Sequence, residues 1–106
     1  MGYSNKTCPL ADQPLFKLGR MVASAGVTEL IENEDFPAGE YLFRHHHGDW
    51  GDVCEADKEA NQQALLLGYR LVSKYRIEEP DREPVEIFII TEHDRSLTTI
   101  MLTREY

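Results

Sequence analysis

Val85-Glu86-Ile87-Phe88-Ile89-Ile90-Thr91-Glu92 decides the fold. Val85, Ile87 and Ile89 alternate with Phe88 and Ile90, so both faces of an extended chain are apolar and the strand belongs inside a sheet. The runs on either side are more one-sided. In Tyr69 to Ile77, Leu71, Tyr75 and Ile77 oppose Arg70, Lys74 and Arg76, and in Leu97 to Thr103, Ile100 and Leu102 oppose Thr99 and Thr103. Each flanking strand has a wet face. Glu78 to Pro84 and His93 to Ser96 separate the three runs, which predicts an antiparallel meander with an acidic loop and a short polar turn.

Upstream of the meander, Asp52-Val53-Cys54-Glu55 has the form of a capping box and predicts a helix start. Ala56, Ala60, Ala64 and Leu67 give that helix a mostly small apolar face, and Gly68 suits a left-handed exit. A second helix is expected over Val27 to Asn33, capped by Ser24, with Val27, Leu30 and Ile31 as its buried stripe and Phe36-Pro37-Ala38-Gly39 closing it. Leu15 to Ala23 reads as a strand in which Phe16, Leu18 and Val22 share a parity and Gly19 permits a bend. Residues 1–15 read as an irregular leader and 16–106 as one domain. The fold expected is α+β, an antiparallel sheet of about four strands with two main helices packed on one face.

The chain has 106 residues, 11 Lys and Arg against 19 Asp and Glu, and a formal charge of −8. That suits one small soluble domain. No apolar run approaches the roughly 18 residues of a membrane span, and Met1 leads into a polar stretch with no apolar block behind it, so a cytoplasmic protein is expected. Cys8 and Cys54 are then read as free thiols. The charge is −4 up to Val53 and −4 beyond it, with no basic patch. Sequence-specific nucleic-acid binding, which needs clustered cations against phosphates, is not expected. The acidity serves solubility, engages a basic partner, or imitates a phosphate backbone.

Chemistry concentrates in Arg44-His45-His46-His47-Gly48-Asp49-Trp50-Gly51-Asp52, with three imidazoles, two carboxylates and the only Trp. Two glycines around Asp49-Trp50 imply a tight bend that aims both side chains, the indole serving as core plug or pocket wall. If the chain is extended before the bend, His45 and His47 share a face and, with Asp49 or Asp52, could hold zinc or another divalent metal; His93 is the one remaining His for a fourth position. Otherwise the histidines simply hydrogen-bond or face solvent, Asp52 caps a helix, and Arg44 pairs with Asp49. His45 beside a carboxylate also suits acid–base work near neutral pH. A second cluster, Thr91-Glu92-His93-Asp94-Arg95-Ser96, has ordinary turn chemistry. Its functional alternative makes Glu92, His93 and Arg95 a base, an acid and an anion clamp, as in a small ribonuclease, against which the charge of −8 argues.

Arg44-His45, Gly48-Asp49-Trp50-Gly51-Asp52, Asp57, Asn61, Ala64-Leu65, Gly68, Arg70, Ser73, Tyr75, Thr91-Glu92, Asp94-Arg95-Ser96, Thr98-Thr99 and Glu105-Tyr106 form a spaced pattern. It resembles a family of small bacterial proteins carried on plasmids and integrative elements, often labelled plasmid-related. The resemblance covers about residues 44–106, with a weaker echo over 19–26, and departs at His46, His47 and Thr103-Arg104. It implies kinship and no particular chemistry. The expectation is a non-enzymatic accessory protein of mobile elements that binds a protein or small ligand through Arg44, His45, Asp49, Trp50 and Arg95, without a cofactor. The alternatives are a small hydrolase using His45 and Asp49 with Glu92 or Arg95, zinc-assisted through His45, His47 and Asp49, and an acidic DNA mimic directed at a host defence system. An exposed edge strand would favour a homodimer.

Overall fold

The computed structural model describes residues 12–106. Strand β1 (Arg20–Ala23) leads into helix α1 (Ala25–Glu34), followed by α2 (Ala38–His46), α3 (Glu55–Leu67), β2 (Leu71–Glu79), β3 (Arg82–Thr91), β4 (Leu97–Leu102) and a closing 3₁₀ turn over Thr103–Glu105. The fold is α+β. The sheet order is β1-β4-β3-β2, with β3 inside it as its two apolar faces require. Among the described residues, no helix is long and apolar enough to cross a membrane.

The meander pairs antiparallel, Ser73 opposite Ile89 and Ile89 opposite Ile100, which keeps the inward residues of three strands in one layer. The sheet is nevertheless mixed, because β1 lies parallel to β4 with Met21 beside Thr98. Alternation along β1 specifies faces and not direction, so an all-antiparallel sheet was the wrong expectation. The acidic loop is also shorter than its composition predicts. β2 and β3 continue to Glu79 and Arg82, leaving Pro80-Asp81 as the turn. Only Arg20 to Ala23 of the Leu15–Ala23 run is a strand; Leu15 to Gly19 is an irregular strap.

Among the described residues there are three helices, not two. Ser24 caps α1 as expected, its hydroxyl accepting from the Val27 N–H. α2 occupies a segment that the metal reading required to be extended: Tyr41, Leu42 and His45, at offsets of one, three and four, form a helical stripe, and Pro37 stands immediately before the first turn. Helices α1 and α2 cover the inner sheet face, where Val27 and Phe36 pack with Tyr75, Ile87, Ile89, Ile100 and Leu102. α3 straddles the β2 edge. Its predicted apolar face is buried only in part: Ala64 is buried, but Ala56, Ala60 and Leu67 are exposed, and Asn61 is the other buried residue. Trp50, Ala64 and Leu71 make a second small core with Phe16 against it.

Candidate functional site

The imidazole of His45 projects from the last turn of α2 into the sheet and is fully buried. Its Nδ1 lies 2.6 Å from Ser73 Oγ and its Nε2 lies 2.9 Å from Thr91 Oγ1. Thr91 in turn is 2.7 Å from Thr98 Oγ1, and Thr98 donates to the Leu18 carbonyl of the strap. The directions of these bonds follow from counting protons. A carbonyl only accepts, so the single Thr98 proton is spent on Leu18 and Thr91 must donate to Thr98. Thr91 then accepts from His45 Nε2–H, which leaves Nδ1 to accept from the Ser73 hydroxyl. The result is one directed chain, Ser73 to His45 to Thr91 to Thr98 to the strap, with His45 neutral. Burial, with smaller contributions from the His46 and Arg95 charges, lowers its pKa to about 3.

A serine donating to an imidazole resembles the start of a nucleophilic dyad. Here Ser73 has no exposed surface and the imidazole is too weakly basic to take its proton near neutral pH. Phe16 closes the space beside it, its ring edge-on to His45 and His46, stacked on Trp50 and beneath the Arg95 guanidinium at 5.8 Å. The strap carrying Phe16 is tied down by Leu15 N–H to the His46 carbonyl at 3.0 Å and by His46 Nε2 to the Phe16 carbonyl at 2.8 Å.

Asp49 belongs to a different network. Arg44 Nε donates to its Oδ2 at 2.8 Å, the Gly51 N–H donates to its Oδ1, and its carbonyl accepts from the buried Tyr75 hydroxyl, whose pKa burial pushes up. Arg44 also stacks over Tyr75. Asp49 therefore fixes the bend. Gly51 sits at φ 78°, where a Cβ would collide with the Lys74 carbonyl and the Tyr75 ring. That closeness lets residues 50–52 pair with Lys74 along the free edge of β2.

Asp52 and Asn61 complete this edge. The capping box does not form: the N-cap of α3 is Cys54, without a side-chain bond, and the Asp52 carboxylate instead accepts from the Arg76 N–H at 2.8 Å. Strand-edge amides are as needy as helix-end amides, and Arg76 takes the acceptor. Asn61 Nδ2 donates to the Val72 carbonyl and its Oδ1 accepts from the Val72 N–H, as a neighbouring strand would. Trp50 is 2% exposed and its Nε1 has no acceptor among the described residues.

Arg95, left-handed at φ 61° in the last hairpin, spends its guanidinium on the carbonyls of Ala64, Tyr69, Glu92 and His93. It joins the open end of α3 to the hairpin. Glu92 pairs with Arg70 at 3.4 Å on the opposite sheet face from His45.

The bend and the last hairpin thus converge, but the contacts divide the predicted site residues into three separate networks around His45, Asp49 and Arg95. The helix also parts the histidines. His47 Nδ1 bonds the Phe43 carbonyl, both His45 nitrogens face hydroxyls, and among the described residues no three metal-ligating side chains gather. Cys54 is an exposed free thiol; Cys8 lies outside the described residues. Sequence reasoning assigned no role to Ser73, Thr91, Thr98 or Phe16. The signal available was three hydroxyl residues at inward parity on three neighbouring strands. Compared with family models, with curated proteins and with solved structures, the chain has no match in any of the three.

Proposed function

We propose that this chain is a non-catalytic protein-binding module, an accessory protein of mobile genetic elements, and that its working surface is the outer face of the sheet. The observation that carries this reading is where the polar groups of the motif go. His45, Ser73, Asp49 and Arg95 bond to partners inside the fold, so none is left for a substrate. The outer sheet face is built differently. Val72, Phe88, Thr99 and Met101 are half-buried there, while α1 and α2 lie on the other side. Ile90 on this face is buried and the Tyr106 ring packs against Phe88, but neither α1 nor α2 covers it, and an apolar sheet face only partly covered is the kind of surface that proteins use for association.

Between this face and the N-terminal half of α3 runs a groove of about 710 Å³. Val72 and Phe88 form an apolar floor, Arg70 and Lys74 one charged wall, and Asp52 and Asp57 the other. The mixed charges fit a protein segment carrying both signs better than a polyanion. The link to mobile elements rests on the sequence pattern of residues 44–106.

The test is a photo-crosslinking residue placed at Phe88 in native cells, with one at Phe43 on α2 as control. Any partner captured is purified and titrated against the wild type and Lys74→Glu. The reading predicts adducts at position 88 and weaker binding by the variant. Equal adducts at both positions, or affinity indifferent to Lys74→Glu, would contradict it.

A further inference from the structure

The two edges of the sheet are treated unequally. Along β2 the backbone is covered at three successive outward positions, Val72 by Asn61, Lys74 by residues 50–52 and Arg76 by the Asp52 carboxylate. Such covering blocks pairing with another strand. β1 carries no comparable device among the described residues. The N–H groups of Arg20 and Ser24 donate to the Ser96 and Ile100 carbonyls of β4, so even-numbered residues face the sheet. Met21 and Ala23 therefore turn their N–H and C=O groups outward. Both residues are exposed, Met21 to 54%.

We propose that this edge pairs antiparallel with the same edge of a second copy about a two-fold axis at Val22, joining two four-stranded sheets into one. Register and charge both favour a second copy over an unrelated strand. With the axis at Val22, Met21 lies opposite Ala23 of the partner subunit, so the outward-facing residues meet each other and exchange both backbone bonds. Arg20 then lies opposite Ser24 of the partner subunit. The Ser24 hydroxyl donates to Glu105, whose carboxylate also accepts from the Leu102 N–H at the end of β4 and the Gly26 N–H in the first turn of α1. Arg20 has no ion-pair partner among the described residues. The two-fold brings it to Glu105 of the partner subunit, and the contact occurs twice, as an isologous interface requires. Val22 meets its own copy at the axis, on the outer face, so dimerisation doubles the surface assigned above without depending on that assignment.

Four residues of edge form a small interface, so a Kd on the order of 100 μM is expected. Sedimentation equilibrium on the full chain, from micromolar to about millimolar, should show monomer passing to dimer. Filtered NOEs in a mixed labelled and unlabelled sample should connect Val22 methyls of the two copies. Ala23→Pro removes only an outward N–H and should abolish the dimer with the far-UV spectrum preserved. Arg20→Glu should weaken it at least tenfold, and added salt should weaken the wild type. A monomer throughout the range overturns the proposal, as does a dimer without the Val22 NOEs. A dimer indifferent to Arg20→Glu overturns it even if Ala23→Pro fails to fold.

Discussion

Ser73 donates a hydrogen bond to Nδ1 of a fully buried His45 at 2.6 Å, and the same imidazole passes its Nε2 proton toward Thr91. Burial first, with the charges of His46 and Arg95 behind it, lowers the His45 pKa from 6.5 to about 3. The unfolded chain therefore takes up a proton before the folded one does. This contribution to stability is complete above the unfolded value and is lost as pH falls from about 6.5 toward 3, amounting to about 2 kcal/mol by pH 5. Urea melts of wild type and His45→Gln at pH 7.5 and 5 check it. The variant should be weaker at the higher pH and lose less on acidification; equal losses in the two proteins would refute the assignment.

Gly51 and Gly68 have nearly the same dihedral, φ 78° and 76°, and opposite surroundings. A Cβ at Gly51 meets the Lys74 carbonyl and the Tyr75 ring, whereas at Gly68 nothing lies within 4 Å. Gly68→Ala should cost about 1 kcal/mol for the left-handed backbone alone. Gly51→Ala should cost about 3 kcal/mol or more, since the bend must also move off β2. Chemical denaturation of the two variants gives the comparison, and equal costs would show that the close approach is not held.

Much of this was legible in the sequence, and what escaped has a common cause. The doubly apolar Ile87 to Ile90 identifies the inner strand without any tertiary information, and the Ser24 cap is a local event. Which partner a side chain takes is not local. Asp52 sits where a capping box would form and bonds instead to the Arg76 amide of β2, 24 residues along the chain. His45 and His47 look paired only if their backbone is extended, and the helix that separates them draws its stability from packing of Tyr41 against Tyr75, a contact between distant residues.

Arg95 holds four carbonyls with a planar fork, which an ammonium cannot match in position. Arg95→Lys should destabilise the fold by about 2 kcal/mol. Hydrogen exchange should quicken at the Gly68 and Tyr69 amides, both bonded to the Ala64 carbonyl that Arg95 also holds. Unchanged protection at these two amides would mean that the guanidinium is not the tie between helix and hairpin.

Asn61 stands in for a missing strand at Val72. Asn61→Leu keeps the volume and strips both partners from that edge, so a loss of about 2 kcal/mol is expected together with a greater tendency to aggregate. Melting temperature and light scattering together test this. A variant as stable and as monodisperse as wild type would show that the edge needs no cover.

The central claim is that His45 is a neutral strut and not a working acid or base. Long-range ¹H–¹⁵N correlation of the imidazoles across a pH titration tests it most directly. His45 should remain the Nε2-protonated neutral tautomer from pH 8 down to about pH 4.5, well above its folded pKa of about 3. A midpoint near 6.5, the value of an imidazole open to water, would contradict the account and return His45 to the chemistry of the site.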